Sequence, residues 1–231
     1  MKKTIVGSLC LLTALSASAD LVVSTFTGGD AGEGFDLSGT YVYTVNLGGS
    51  VASLDIQGYT FVNAATAGIS LSANHLANWA TSPDYGTTTD DNALESMMFN
   101  TALDWDGTPF INIAAPVTIG QQYALQLLMS ENSTTEANRR QDIIVEGLTI
   151  LDDFQITQGL GVSNPQTYGT LVYYTFTATD DTLNLELARG AGGTDPNPVA
   201  QAFTLQVVPE PSTLGLAVIG LGLAALRRRL R

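Results

Sequence analysis

Apolar and polar positions alternate with a period of two through most of the chain. Tyr41, Tyr43, Val45 and Leu47 alternate with smaller or polar residues until Gly48-Gly49 turns the chain. Residues 59–62 and 69–71 are two further short β-rich runs. Tyr123, Leu125, Leu127 and Met129 fall on one side of a strand, and Gln122, Ala124 and Gln126 on the other. Ile143-Ile144-Val145 and residues 148–151 flank Glu146-Gly147, which has hairpin character. Residues 171–177 are dense in β-branched and aromatic types. Leu183, Leu185 and Leu187 alternate with Asn184 and Glu186, and Phe203, Leu205 and Val207 form a last strand. Successive side chains of a strand point to opposite faces, so this pattern marks strands with one face in a core. Many short strands separated by turn residues predict an all-β fold, a sandwich or barrel. One helix is expected, over residues 92–99, with Asn92 as its cap and Leu94, Met97 and Met98 on one side.

Polar, Gly- and Pro-containing stretches at 28–34, 74–92, 130–141 and 190–198 predict loops. In a sandwich such loops gather at the two ends, where binding residues commonly sit.

The two termini break the pattern. Lys2-Lys3, the apolar residues 5–15 and the small-residue site Ala17-Ser18-Ala19 read as a signal peptide over 1–19. Signal peptidase would cut after Ala19 and leave Asp20 as the first mature residue. At the other end Pro209-Glu210-Pro211 precedes fifteen uncharged residues, 212–226, and then Arg227-Arg228-Arg229-Leu230-Arg231. As a helix that run would span roughly 22 Å, short of the ~30 Å hydrocarbon core. The arginines hold the cytoplasmic side. The segment therefore reads as a short transmembrane helix that halts export at its last step. Each proline fixes φ and disfavours helix in its predecessor, so the tripeptide is stiff and extended.

Composition sharpens the picture between those ends. Residues 20–208 hold 3 basic residues (Arg139, Arg140, Arg189) and 21 acidic ones, a net charge of −18, with no lysine and no cysteine. Such a surface repels nucleic acid. Disulfides and thiol catalysis are excluded from it. About 190 residues fit one domain.

Little catalytic chemistry is on offer. His75 is the only histidine. A Ser-His-Asp site would need it, yet no nucleophile elbow is present. A zinc site would need more ligands. Acidic pairs occur at Asp90-Asp91, Asp104 and Asp106, Asp152-Asp153 and Asp180-Asp181. A chain this acidic offers such pairs by chance, and the last reads as a turn. No catalytic residue is assigned. Asp104 and Asp106, in Asp104-Trp105-Asp106-Gly107, are the candidate Ca²⁺ ligands, because Ca²⁺ takes carboxylate and carbonyl oxygens. Trp79, Tyr85, Trp105 and Tyr168 lie in or near predicted loops, where aromatic faces would stack on sugar C–H surfaces; the alternative for Trp105 or Tyr168 is to plug the edge of the core.

Two resemblances follow. The proline-flanked glutamate, hydrophobic run and basic cluster resemble the PEP-CTERM sorting signal of bacteria. That implies recognition of Pro209, Glu210 and Pro211 by an exosortase, a membrane transpeptidase, with Arg227, Arg228 and Arg229 as the basic cluster. It also implies delivery to the cell surface or extracellular matrix. Over residues 120–207, the stretches Tyr123-Ala-Leu-Gln-Leu-Leu-Met-Ser-Glu131, Arg140-Gln-Asp142-Ile-Ile-Val-Glu-Gly147, Thr182-Leu-Asn-Leu-Glu-Leu187 and Asn197-Pro198 follow one another. This order is similar to malectin-like and galactose-binding-like jelly-roll domains, which implies a two-sheet jelly roll and carbohydrate binding. Residue by residue, only Asp195 or Asn197 falls near a malectin ligand position, and the family's aromatic ligand residues have no match.

The expectation is an exported surface or matrix protein. Its jelly-roll-like β-sandwich covers 20–208, and a C-terminal hydrophobic helix lies within the sorting signal at 209–231. It would bind exopolysaccharide without catalysis, through Trp79, Tyr85, Trp105, Asp195 and Asn197. The alternatives are a purely structural matrix protein and a surface glycoside hydrolase or lyase.

Overall fold

The computed structural model describes residues 19–49, 52–78, 82–103, 110–131, 139–156, 166–193, 195 and 197–209. In chain order the strands are β1 (Leu21–Phe26), β2 (Tyr41–Asn46), β3 (Ser53–Ile56), β4 (Tyr59–Asn63), β5 (Ser70–Ser72) and β6 (His75–Asn78). Helix α1 (Thr89–Phe99) follows, then β7 (Asn100–Leu103), β8 (Phe110–Pro116), β9 (Gln122–Met129), β10 (Arg140–Val145) and β11 (Leu148–Gln155). The last are β12 (Gly169–Thr177), β13 (Thr182–Arg189), β14 (Val199–Ala200) and β15 (Ala202–Val207). A seven-stranded sheet runs β1-β12-β9-β15-β2-β4-β3, a five-stranded sheet β11-β10-β13-β8-β5, and a small sheet β14-β7-β6. Within them only β2 and β4 pair in parallel.

The two large sheets pack as a sandwich, as the period-two pattern predicted. Leu125, Leu127, Val172 and Phe203 of the larger sheet share one core with Ile111, Ile143, Leu185 and Leu187 of the smaller. Every residue of β9 after Gln122 is buried, on both faces. A second core explains this. Leu128, Leu171 and Ala202 point outward from the large sheet and are covered by Leu94, Met97 and Met98 of α1, together with Phe26, Phe35 and Phe61. Leaving these apolar faces in water would cost roughly 25 cal/mol per Å².

The helix starts three residues before the expected position. Thr88, not Asn92, is the cap: its hydroxyl accepts from the Asp91 amide, and the Asp91 carboxylate accepts from the Thr88 amide. This reciprocal pairing satisfies two N–H groups that a helix start leaves open, and the acids of the first turn suit the helix dipole. Residues 75–78, expected within a loop, form β6, and β1, β3, β7, β8 and β14 lie outside the expected strands. The hairpin at Glu146-Gly147 does form; both residues have positive φ, 53° and 73°, as a two-residue turn between β10 and β11 requires.

Gln201, where the chain passes from the small sheet to the large one, has every polar group engaged. Its amide donates to the Leu128 carbonyl and its own carbonyl accepts from the Leu47 amide. Its side-chain Oε1 accepts from the Ser130 amide, while Nε2 donates to the Ser130 carbonyl and the Thr101 hydroxyl.

Among the described residues no helix is long and apolar enough to cross a membrane. The hydrophobic helix expected over 212–226 lies outside the described residues.

Candidate functional site

The loop end carries a buried ion network. Arg139 is 5% exposed and donates from Nε to Glu131, which is 2% exposed. A second guanidinium nitrogen lies 2.6 Å from Asp195 Oδ2, and a third donates to the Asn197 carbonyl. The Asn197 amide returns to Asp195 Oδ1 at 3.0 Å, and Arg139 and Asp195 also form a parallel backbone bridge. A guanidinium carries five donors in a rigid fork, which is why one arginine can tie three groups from two separate segments. Asp195, expected near a ligand position, thus holds two loops together, and Asn197 takes part through its backbone.

Other acids are similarly engaged. Asp153 pairs with Arg140 at 3.0 Å and accepts from the Gly192 amide. Asp180 and Asp181 close the turn into β13 through Thr182. Asp30, Glu33 and Asp91 bring one carboxylate oxygen each within 4.8 Å of one another. Three oxygens are about half of what Ca²⁺ takes, and the carboxylates are already engaged: Asp91 accepts from the Gly29 and Thr88 amides, Glu33 from the Asp30 amide and Asp30 from the Thr88 hydroxyl. Burial alone would raise the Asp91 pKa. The Gly29 and Thr88 amides, the Thr88 hydroxyl and Glu33 outweigh it and hold the carboxyl below its ordinary 3.8. The cluster staples the 28–33 loop to the helix start.

Tyr85, expected on a loop surface, is a core residue. Its ring meets Phe26 edge-on at 5.7 Å, and its amide donates to Glu95. Burial pushes the hydroxyl pKa well above 10; the nearby Ser130 hydroxyl tempers that without aligning as a hydrogen bond, and Glu95 and Tyr168 add to it. Tyr168 is buried as well, and His75 sits in β6. Trp79, Trp105, Asp104, Asp106, Ala17, Glu210, Pro211, Arg227, Arg228 and Arg229 lie outside the described residues. Asp20 is held by its amide against the Thr175 hydroxyl, and Pro209 is exposed.

A different surface gathers chemistry that the pattern alone did not single out. Beyond the edge of α1, the outer face of the seven-stranded sheet continues as two rows. Strand register sets Val22, Tyr173, Gln126, Thr204 and Thr44 side by side. The next row is Thr175, Ala124, Gln206 and Tyr41. Within these strands neither row contains a charged side chain; Asp20, just before β1, stands against Thr175 at the end of the second row and near Tyr173. Tyr59 packs edge-on against Tyr41 at 5.0 Å. The Tyr41 hydroxyl accepts from the Ser38 amide and, at 3.5 Å, from Gln126 Nε2. Its pKa is raised, chiefly by burial, with Ser38 opposing and Tyr59 adding. Gln126 is 7% exposed and Thr204 fully buried, yet Gln126 Oε1 and Thr204 Oγ1 have no partner. Tyr41 reads from sequence as a core residue in step with Tyr43. A bulge between Leu205 and Gln206 sets Leu205 opposite Tyr43 and Gln206 opposite Tyr41, which turns Tyr41 to the outer face.

Two hollows are also found among the described residues. A cleft of about 340 Å³ lies where β2 and β4 end, lined by Asn46, Gly49, Ala64, Leu71 and Leu76. A smaller groove of about 170 Å³ crosses the outer face of the five-stranded sheet along Ser72, Asn112, Asn184 and Glu186.

Residues 207–231 match the PEP-CTERM protein-sorting motif, which marks a protein exported and sorted to the cell envelope or surface. No curated protein matches the sequence. The solved structures most like the fold include malectin-like ectodomains of plant receptor kinases. The ANXUR2 extracellular domain of Arabidopsis thaliana is 15% identical, with a TM-score of 0.55, over 73% of this chain and 41% of that one. The ANX1 ectodomain of Arabidopsis thaliana is 15% identical, with a TM-score of 0.56, over 75% and 42%. The plant receptor-like kinase FER is 14% identical, with a TM-score of 0.58, over 74% and 43%. The chain spans about two-fifths of the length of these proteins. At such identities the likeness is one of fold.

Proposed function

We propose that this exported protein binds a neutral polysaccharide, without catalysis, on the tyrosine- and glutamine-lined outer face of its seven-stranded sheet. The observation that carries the reading is the pair of uncharged rows with partly exposed Tyr41, Tyr59 and Tyr173 around Gln126 and Thr204, whose buried oxygens lack partners. Aromatic faces take sugar C–H surfaces, and fixed amides and hydroxyls take sugar hydroxyls. An uncharged strip on a domain of net charge −18 suits an uncharged, hydroxyl-rich chain. The carboxylates described above are engaged in turns, caps and ion pairs, which favours binding over acid–base hydrolysis.

Affinity electrophoresis of the protein through gels cast with neutral glycans tests this. Tyr41→Ala and Tyr173→Ala should each weaken retention by several-fold, since one stacking contact is worth about 1 kcal/mol. Unchanged retention in both variants would move binding elsewhere. No retention of the unaltered protein by any neutral glycan would favour a purely structural matrix role.

A further inference from the structure

We infer that the end of the sandwich from which β15 leaves rests on the bilayer interface while the C-terminal run 212–226 is in the membrane, with Ile119 and Leu148 as its contact points. The inference rests on that run being a bilayer anchor, and not on glycan binding.

Tether length is the first argument. The chain is held to its last strand up to Val208, whose amide donates to the Gln122 carbonyl and whose carbonyl accepts from Gln121 Nε2. Four residues lead from Val208 to Ser212, and fully extended they reach about 14 Å. One headgroup layer is about 5–8 Å deep. The folded end therefore cannot stand farther from the apolar boundary than about two such layers.

The distribution of exposed apolar side chains is the second. Strand register puts the loop before β9, the turn between β12 and β13, and the β10–β11 hairpin at the same end as Val207. The described surface exposes seven large apolar side chains. Of these, Leu21, Val22, Val42, Ile119 and Leu148 lie at or toward this end. Ile119 is 64% exposed and Leu148 59%. Scattered apolar side chains are ordinary on a surface; Ile119 and Leu148 are singled out because a short membrane tether leaves from the same end. The acids at this end, Asp20, Glu146, Asp180 and Asp181, would be repelled by an anionic surface, so a zwitterionic headgroup layer is the lipid surface that fits.

Cys10 is the only cysteine, so a Cys10→Ala background allows single probes. Ile119→Cys, Leu148→Cys and, at the opposite end, Leu76→Cys are each labelled with bimane in the full chain. Each is then mixed with phosphatidylcholine vesicles carrying headgroup spin labels. All three chains should float with the vesicles, and quenching at positions 119 and 148 should exceed that at 76 several-fold. Flotation with equal quenching at all three positions overturns the orientation and leaves the anchor intact. Failure to float overturns the anchor, and the inference with it.

Discussion

Replacing Arg139 by alanine tests the network that fixes the loop end. The substitution removes the cation but leaves Glu131, 2% exposed, and Asp195, 9% exposed, with the Asn197 carbonyl also losing its donor. Breaking a buried ion pair from one side costs about 3–5 kcal/mol, because the remaining charge stays desolvated. In a domain of this size each kcal/mol moves the Tm by about 2–4 °C. Far-UV circular dichroism should therefore show Arg139→Ala melting roughly 6–20 °C lower. The triple variant Glu131→Gln/Arg139→Met/Asp195→Asn keeps the acceptor for the Asn197 amide and buries no charge. It should recover more than half of the loss. A single-variant cost below about 1 kcal/mol, the range of an exposed pair, would refute the claim that this network is buried and holds the loops.

Further outcomes follow from the same contacts. Thr204→Val removes an unpartnered hydroxyl, so thermal melting should be unchanged or slightly higher, while retention by a neutral glycan falls if that face binds. Tyr85→Phe should be neutral or stabilising by about 1 kcal/mol, because the buried hydroxyl lacks a partner. It should also remove an alkaline limb. The folded Tyr85 pKa lies above its ordinary 10.0, so its contribution is intact below that value and is lost as pH rises through the folded one. Asp91 has the opposite sign: held below 3.8, it adds stability above the unfolded value that fades as pH falls through the folded one. Asp91→Asn should accordingly flatten acid denaturation monitored by fluorescence or circular dichroism. Gly169→Ala would drive a methyl into the Phe26 ring and should cost about 1–3 kcal/mol in chemical denaturation.

The sandwich was legible because its central strands carry a strict alternation. Leu183, Leu185 and Leu187 announce β13, and Phe203 and Leu205 announce β15, since each has one face in the shared core. The second core was hidden. Leu128, Leu171 and Ala202 sit on positions that alternation assigns to solvent, and only α1 folding over them makes them buried. The helix start was readable in Thr88-Thr89-Asp90-Asp91 as a capping box with aspartate in its last place; reading Asn92 as the cap passed over it. The tyrosine face was hidden for a third reason. One bulge changes the side on which Tyr41 stands, and a bulge leaves no mark in a hydrophobic pattern. Asp195 and Asn197 were found from motif order. That order records the partners of Arg139, and such a signature preserves packing as readily as recognition.

Gln201 bears on how the molecule comes apart. A rivet whose five bonds clamp the small sheet to the seven-stranded one at the point where the chain changes sheets does not slip by halves. Any opening that freed the small sheet would strand a buried amide. The loop end and the sandwich should therefore exchange their amide protons at one common rate, as a single cooperative block.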